Sequence, residues 1–179
     1  MIVATDRCRT VPLLPFLQTL FDIALLRKGP EHIPRSAVML VMAIVFWFLV
    51  RLAMLVFDEG FDEYSFIIEL FSAFLAAVCY SAVIIISGQR PRLLQSLSAI
   101  IGISALMRVM FLSAKMLLQS VAGVEFMWLV AWATILWSVS VKGHIIASAI
   151  GRHRYVGLAI AVAVLILQLF FEISMVPES

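Results

Sequence analysis

Charge is scarce in this chain. Only 13% of its 179 residues are Asp, Glu, Lys or Arg, and the formal net charge is +2. That balance is too small to select nucleic acid as a partner, so the placement of the basic residues carries more information than their number. Cysteine is scarcer still. Cys8 lies in the N-terminal segment and Cys79 in an apolar stretch; neither has a partner at a matching depth, which excludes a disulfide and a Cys-based metal site. The histidines, His32, His144 and His153, are scattered without metal-ligand spacing. Among the methionines only Met107 and Met110 are close within one apolar stretch, which suits packing better than a soft metal. Gly-x-Ser-x-Gly, His-Glu-x-x-His and Walker motifs are all missing, so neither an enzyme nor a cofactor is expected.

What is abundant is apolar side chain, at 64% of residues with a mean hydropathy of +1.10. So much apolar surface exceeds what one core of this size can bury, and lipid must solvate the rest. A bilayer core of roughly 30 Å needs about 20 apolar residues in a helix. Five segments meet that length, at about 36–57, 64–87, 93–117, 125–149 and 155–176. The expected fold is therefore all-α, an integral membrane bundle of five transmembrane helices at 36–176. A cytoplasmic segment, 1–35, precedes it and an outer tail, 177–179, follows. The connections between spans are too short for a soluble domain: Asp58 to Glu63, Gly88 to Arg92, the turn from Ser120 to Gly123, and Gly151 to Arg154.

Orientation follows the bias of Lys and Arg in short loops. Arg7, Arg9, Arg27, Lys28 and Arg35 precede the first span, Arg90 and Arg92 follow the second, and Arg152 and Arg154 follow the fourth. The opposite loops hold only Lys115, at a span end where it can snorkel, with Asp58, Glu59, Asp62, Glu63, Glu125 and Glu178. This places the N-terminus in the cytoplasm and the C-terminus in the periplasm of a bacterial inner membrane.

Val11 to Leu26 is apolar and follows two arginines, as in a signal peptide, but Pro12, Pro15, Gln18 and Asp22 interrupt it and no small-residue cleavage site follows. From Pro15 to Lys28, Phe16, Leu17, Leu20, Phe21, Ala24 and Leu25 form a broad apolar face, while Gln18 and Asp22 lie one turn apart. The segment reads as an amphipathic helix in the cytoplasmic interface, ended by Gly29 and Pro30.

An ionisable side chain inside a span costs about 2.5–3.5 kcal/mol on insertion scales and faces a partner or water. Arg51 lies six residues before the end of the first span and Glu69 five residues into the second. At about 1.5 Å per residue the two share a depth, and a short loop makes their helices neighbours, so they are expected to pair. Arg108 and Glu172 fall in the same half of the membrane. The four side chains are expected either to hold the bundle together or to surround a polar cavity. A second basic group, Lys142, His144, Arg152, His153 and Arg154, sits toward the cytoplasmic end of the fourth span. It is suited to a lipid phosphate or an acidic partner, with ordinary snorkelling of a basic helix end as the simpler reading. Gly143, Ala147 and Gly151, like Ser98 and Gly102 and like Gly157 and Ala161, recur at four-residue intervals. Such ridges let helix backbones approach closely, in this chain or in a second copy.

The cytoplasmic segment, the five closely spaced spans and the short outer tail resemble the Yip superfamily of small membrane proteins. The run Leu25-Leu26-Arg27-Lys28-Gly29-Pro30-Glu31-His32-Ile33-Pro34-Arg35-Ser36 is similar to the opening of short proteobacterial relatives. The resemblance implies a five-helix module with no catalytic motif, working through other membrane components. GTPase binding, associated with eukaryotic members that have a long cytoplasmic region, is not carried over. The leading expectation is a non-enzymatic scaffold or assembly subunit whose partners are membrane lipids and other membrane proteins. The rival is a small transporter, channel or lipid-handling protein with Arg51, Glu69, Arg108 and Glu172 along a polar path.

Overall fold

The computed structural model describes residues 13–27, 29–57 and 63–175, without the side chains of 13–15, 119–122 and 124. Cys8, Arg7, Arg9, Lys28, Asp58, Glu59, Asp62, Glu178 and the expected tail 177–179 lie outside the described residues. Helix α1 covers Leu13–Ala24, α2 Ala37–Phe57, α3 Glu63–Ile86, α4 Leu93–Ile150 and α5 Arg154–Met175. Short 3-10 turns at Pro30–His32 and Arg90–Arg92 precede α2 and α4. No strand occurs among the described residues.

Ala37–Phe57 and Glu63–Ile86 contain neither proline nor glycine. In hydrocarbon every backbone N–H and C=O must be satisfied within the segment, so these runs are helical from end to end. Helix α4 contains two expected spans. Gly123, at φ 72° and ψ 173°, breaks it in a backbone region that only glycine occupies without strain. The chain folds back there: Arg92 Nη1 donates to the carbonyl of Ser148 at 2.9 Å, which brings the two ends of α4 together. With the halves at Arg90–Leu118 and Glu125–Ile150, five helices are long and apolar enough to cross a membrane. Large apolar side chains face outward on them, among them Val56 at 76%, Ile86 at 85% and Phe170 at 72% exposure.

Helix α1 departs from the expected in-plane helix in its length and its neighbours. It ends at Ala24 rather than Lys28, with Leu26 in the left-handed region and the amide of Arg27 bonded to the carbonyl of Asp22 at 2.9 Å. Its apolar face is covered by protein. Phe16, Leu20, Ile23 and Ala24 are buried in one cluster with Ala99, Ile103, Val141 and Ile145 from both halves of α4. Leu20 packs over Gly102, where a side chain would collide with it. The indole N–H of Trp137 donates to the carbonyl of Ala24 at 2.8 Å. Phe21 and Leu25, expected on the same face, point outward. The structural reason is that α1 fills the groove on the back of the α4 hairpin, a surface that exists only once the chain has turned at Gly123.

The small-residue ridges meet within the chain. Gly143 lies against the backbone of Leu158, and Gly157 against Ala147, so the second half of α4 and α5 are in backbone contact. Ala161 is buried in continuation of that seam. Gly151 does not belong to the ridge: at φ 65° it is the left-handed C-cap that ends α4 and lets the chain turn into α5.

Candidate functional site

Four polar side chains that the sequence places in the same half of the membrane converge. Glu69 of α3 pairs with Arg51 of α2 and with Arg108 of the first half of α4, the latter at 2.7 Å. The expected Arg51–Glu69 pair thus forms, and its carboxylate is shared with a second arginine. Helices α2 and α3 barely touch otherwise, despite the short loop between them. The pair and the edge-on Phe48–Phe66 ring contact, with centroids 5.9 Å apart, bridge a gap between those helices. The Arg51 guanidinium also lies over the Trp47 ring, 5.1 Å from its centroid, so Trp47 supports the cation rather than facing lipid.

Glu172 of α5 takes a different partner. It accepts a hydrogen bond from the Ser72 hydroxyl of α3 at 2.7 Å, and Gln168 donates to the same hydroxyl at 3.0 Å and to the Ser72 carbonyl at 3.2 Å. This α3–α5 link was not anticipated, although Ser72 and Gln168 are isolated polar residues in apolar spans and that signal was readable.

Arg51, Glu69, Arg108 and Glu172 all line one cavity of about 500 Å³. Its walls come from α2, α3, both halves of α4, and α5. Apolar residues such as Leu97, Ile100, Met107 and Leu165 form much of the lining. One face of the second half of α4 contributes Thr134, Ser138 and Lys142 at four-residue spacing, and α3 contributes Tyr80. Tyr80 and Lys142 each stand seventeen residues from the far ends of their helices, Glu63 and Glu125. Within α3, Tyr80 lies about 16 Å along the helix axis from Glu69.

Lys142 is thereby separated from the basic group expected around it. It lines the interior cavity, whereas Arg152, His153 and Arg154 are exposed at the turn into α5 and His144 is half-buried on another face. The reason is the helical period: two residues turn Lys142 and His144 by about 200° from each other. At the same end of the molecule, Arg35 donates from Nε to Gln95 at 3.4 Å, and Gln95 donates to the Pro30 carbonyl, fixing the α1–α2 linker to α4.

The arrangement offers two polar stations in one largely apolar chamber. The upper one is a quartet of two arginines and two carboxylates whose formal charges cancel. The lower one is a cation with hydroxyl groups. Comparison with family models, with curated proteins and with solved structures returned no match.

Proposed function

We propose that this chain is a small transporter, channel or lipid-handling protein of the bacterial inner membrane, in which a small molecule occupies the cavity between the spans. The observation that carries this reading is the chamber of about 500 Å³ lined by Arg51, Glu69, Arg108 and Glu172. Its volume falls in the range of small-molecule sites, and its mostly apolar walls with a few placed polar groups match their chemistry. A scaffold or assembly subunit, the leading expectation from sequence, draws its support from exposed contact ridges. Here Gly143, Ala147 and Gly157 are occupied by each other, Gly102 by Leu20, and Ala161 is buried. The Yip-like layout is retained within the reading as a five-span module, and it contributes no residue to the cavity.

The orientation belongs to the same proposal. Arg35, Arg90, Arg92, Arg152 and Arg154 gather at the end where Arg92 meets Ser148, which supports a cytoplasmic location for that end.

Ala77 lines the chamber and is small, so Ala77→Phe fills space inside it. The test is mass spectrometry of small molecules that co-purify with the full-length chain in mild detergent. The expected result is a bound species in the wild type that is lost in Ala77→Phe, with helix content and monodispersity unchanged. A wild type that carries nothing, together with a variant that fully supports growth or flux wherever the wild type does, would end this reading.

A further inference from the structure

Lys142 is the surplus charge of the chamber. Five ionisable groups line it with full formal charge: Arg51, Arg108 and Lys142 against Glu69 and Glu172. The quartet around Glu69 balances itself in formal charge, and its two arginines face Lys142 as like charges. Lys142 has neither a hydrogen bond nor an ion pair among the described residues, and the same is true of the Ser138 and Tyr80 hydroxyls. Tyr80 is a buried part of the wall. Three donors without acceptors among the described residues therefore line one chamber, with Lys142 and Ser138 half-buried one turn apart on α4 and Tyr80 on α3.

An ammonium that carries the unbalanced charge of the chamber, with hydroxyl donors on the same walls, favours an anionic acceptor, which takes a charge-assisted hydrogen bond from Lys142. The apolar walls between the two stations would take the hydrocarbon part of such a ligand.

We infer that the cavity receives an anionic ligand, a carboxylate or a phosphate, and that Lys142 binds it with Ser138 and Tyr80 as hydrogen-bond donors. This rests on the reading of the cavity as a ligand chamber and specifies what enters it. The anion can be the head of a lipid-derived amphiphile that slips between α2 and α3, or a free solute; the chemistry at Lys142 is the same.

The experiment uses the purified full-length chain in detergent, titrated with palmitate, its uncharged methyl ester and inorganic phosphate, and read by native mass spectrometry. Palmitate is expected to bind one per chain, and the ester about tenfold or more weaker, as for loss of a charge-assisted hydrogen bond. Lys142→Gln is expected to weaken palmitate by a similar factor and leave the ester unchanged, while Lys142→Arg retains binding. Phosphate that binds alone and depends on Lys142 assigns the ligand to free solutes; palmitate binding without phosphate binding assigns it to lipid-derived anions. Should Lys142→Gln not fold, Tyr80→Phe and Ser138→Ala serve instead, each expected to weaken palmitate severalfold relative to the ester.

Equal affinity for palmitate and ester, both lost in Ala77→Phe, overturns the anion inference and leaves the ligand chamber standing. Palmitate binding that is indifferent to Lys142, Tyr80 and Ser138 overturns it as well. If none of the three probes binds, the anion inference falls; the chamber reading falls with it when the wild type also purifies empty and Ala77→Phe is fully functional.

Discussion

Glu69 is the residue on which the buried charges depend, because one carboxylate faces two guanidinium groups. Removing one arginine leaves Glu69 with the other. Removing the carboxylate takes from Arg51, only 6% exposed, and from Arg108 the acidic group they share, and leaves two like charges beside it. Breaking a buried ionic cluster in this way costs about 3–5 kcal/mol in protein interiors. Glu69→Gln is therefore expected to lower the detergent unfolding temperature more than Arg51→Gln or Arg108→Gln. Adding Arg51→Gln to Glu69→Gln is expected to recover part of the loss, since the two guanidinium groups then no longer repel each other. Thermal unfolding of the four variants checks the order, and a Glu69→Gln protein as stable as wild type contradicts it. At this scale the sequence was informative: the depths of Arg51 and Glu69 in adjacent spans were enough to pair them. The sharing with Arg108 was not readable, because it depends on which way the third span is rotated.

Between elements, the strongest constraint is the backbone contact of the second half of α4 with α5. A Cβ at Gly143 would lie 2.8 Å from the Cα of Leu158, so the whole of α5 has to move to admit it. At Gly102 the obstructing atoms are the Leu20 methyls, at 2.9 Å, which a rotamer change can displace. Overpacking costs about 1–3 kcal/mol where relaxation is blocked. Gly143→Ala is accordingly expected to destabilise the protein clearly and Gly102→Ala only slightly, as read from thermal unfolding in one detergent. Comparable losses at the two glycines would mean that α5 yields as easily as a leucine side chain. Four-residue spacing revealed these ridges in the sequence. It did not say that Gly143 and Ala147 face Gly157, or that Gly102 faces α1, because spacing defines a surface and not its neighbour.

Over the whole molecule, basic residues cluster at one end and the chain crosses between the ends five times. With the proposed orientation, Arg152→Cys is expected to react with a membrane-impermeant thiol reagent only after the inner membrane is opened. Glu63→Cys, exposed at the other end, is expected to react in intact spheroplasts. The opposite labelling pattern inverts the topology. The measurement is made in a background where Cys8 and Cys79 are replaced by serine and alanine.

The amino-acid sequence by itself determined the all-α class, the five apolar helices and the pairing of Arg51 with Glu69. These follow from quantities that are local along the chain: apolar length against bilayer thickness, helix rise per residue, and the insertion penalty of charge. Only the tertiary structure decided that α1 lies in the groove behind the α4 hairpin, that the small-residue ridges close on each other, and that Lys142 turns inward to the chamber with Tyr80. Each of those depends on the rotation of one helix against another. In an apolar medium that rotation is chosen by close packing, which the pattern of hydrophobic residues does not encode because both faces of a spanning helix are apolar.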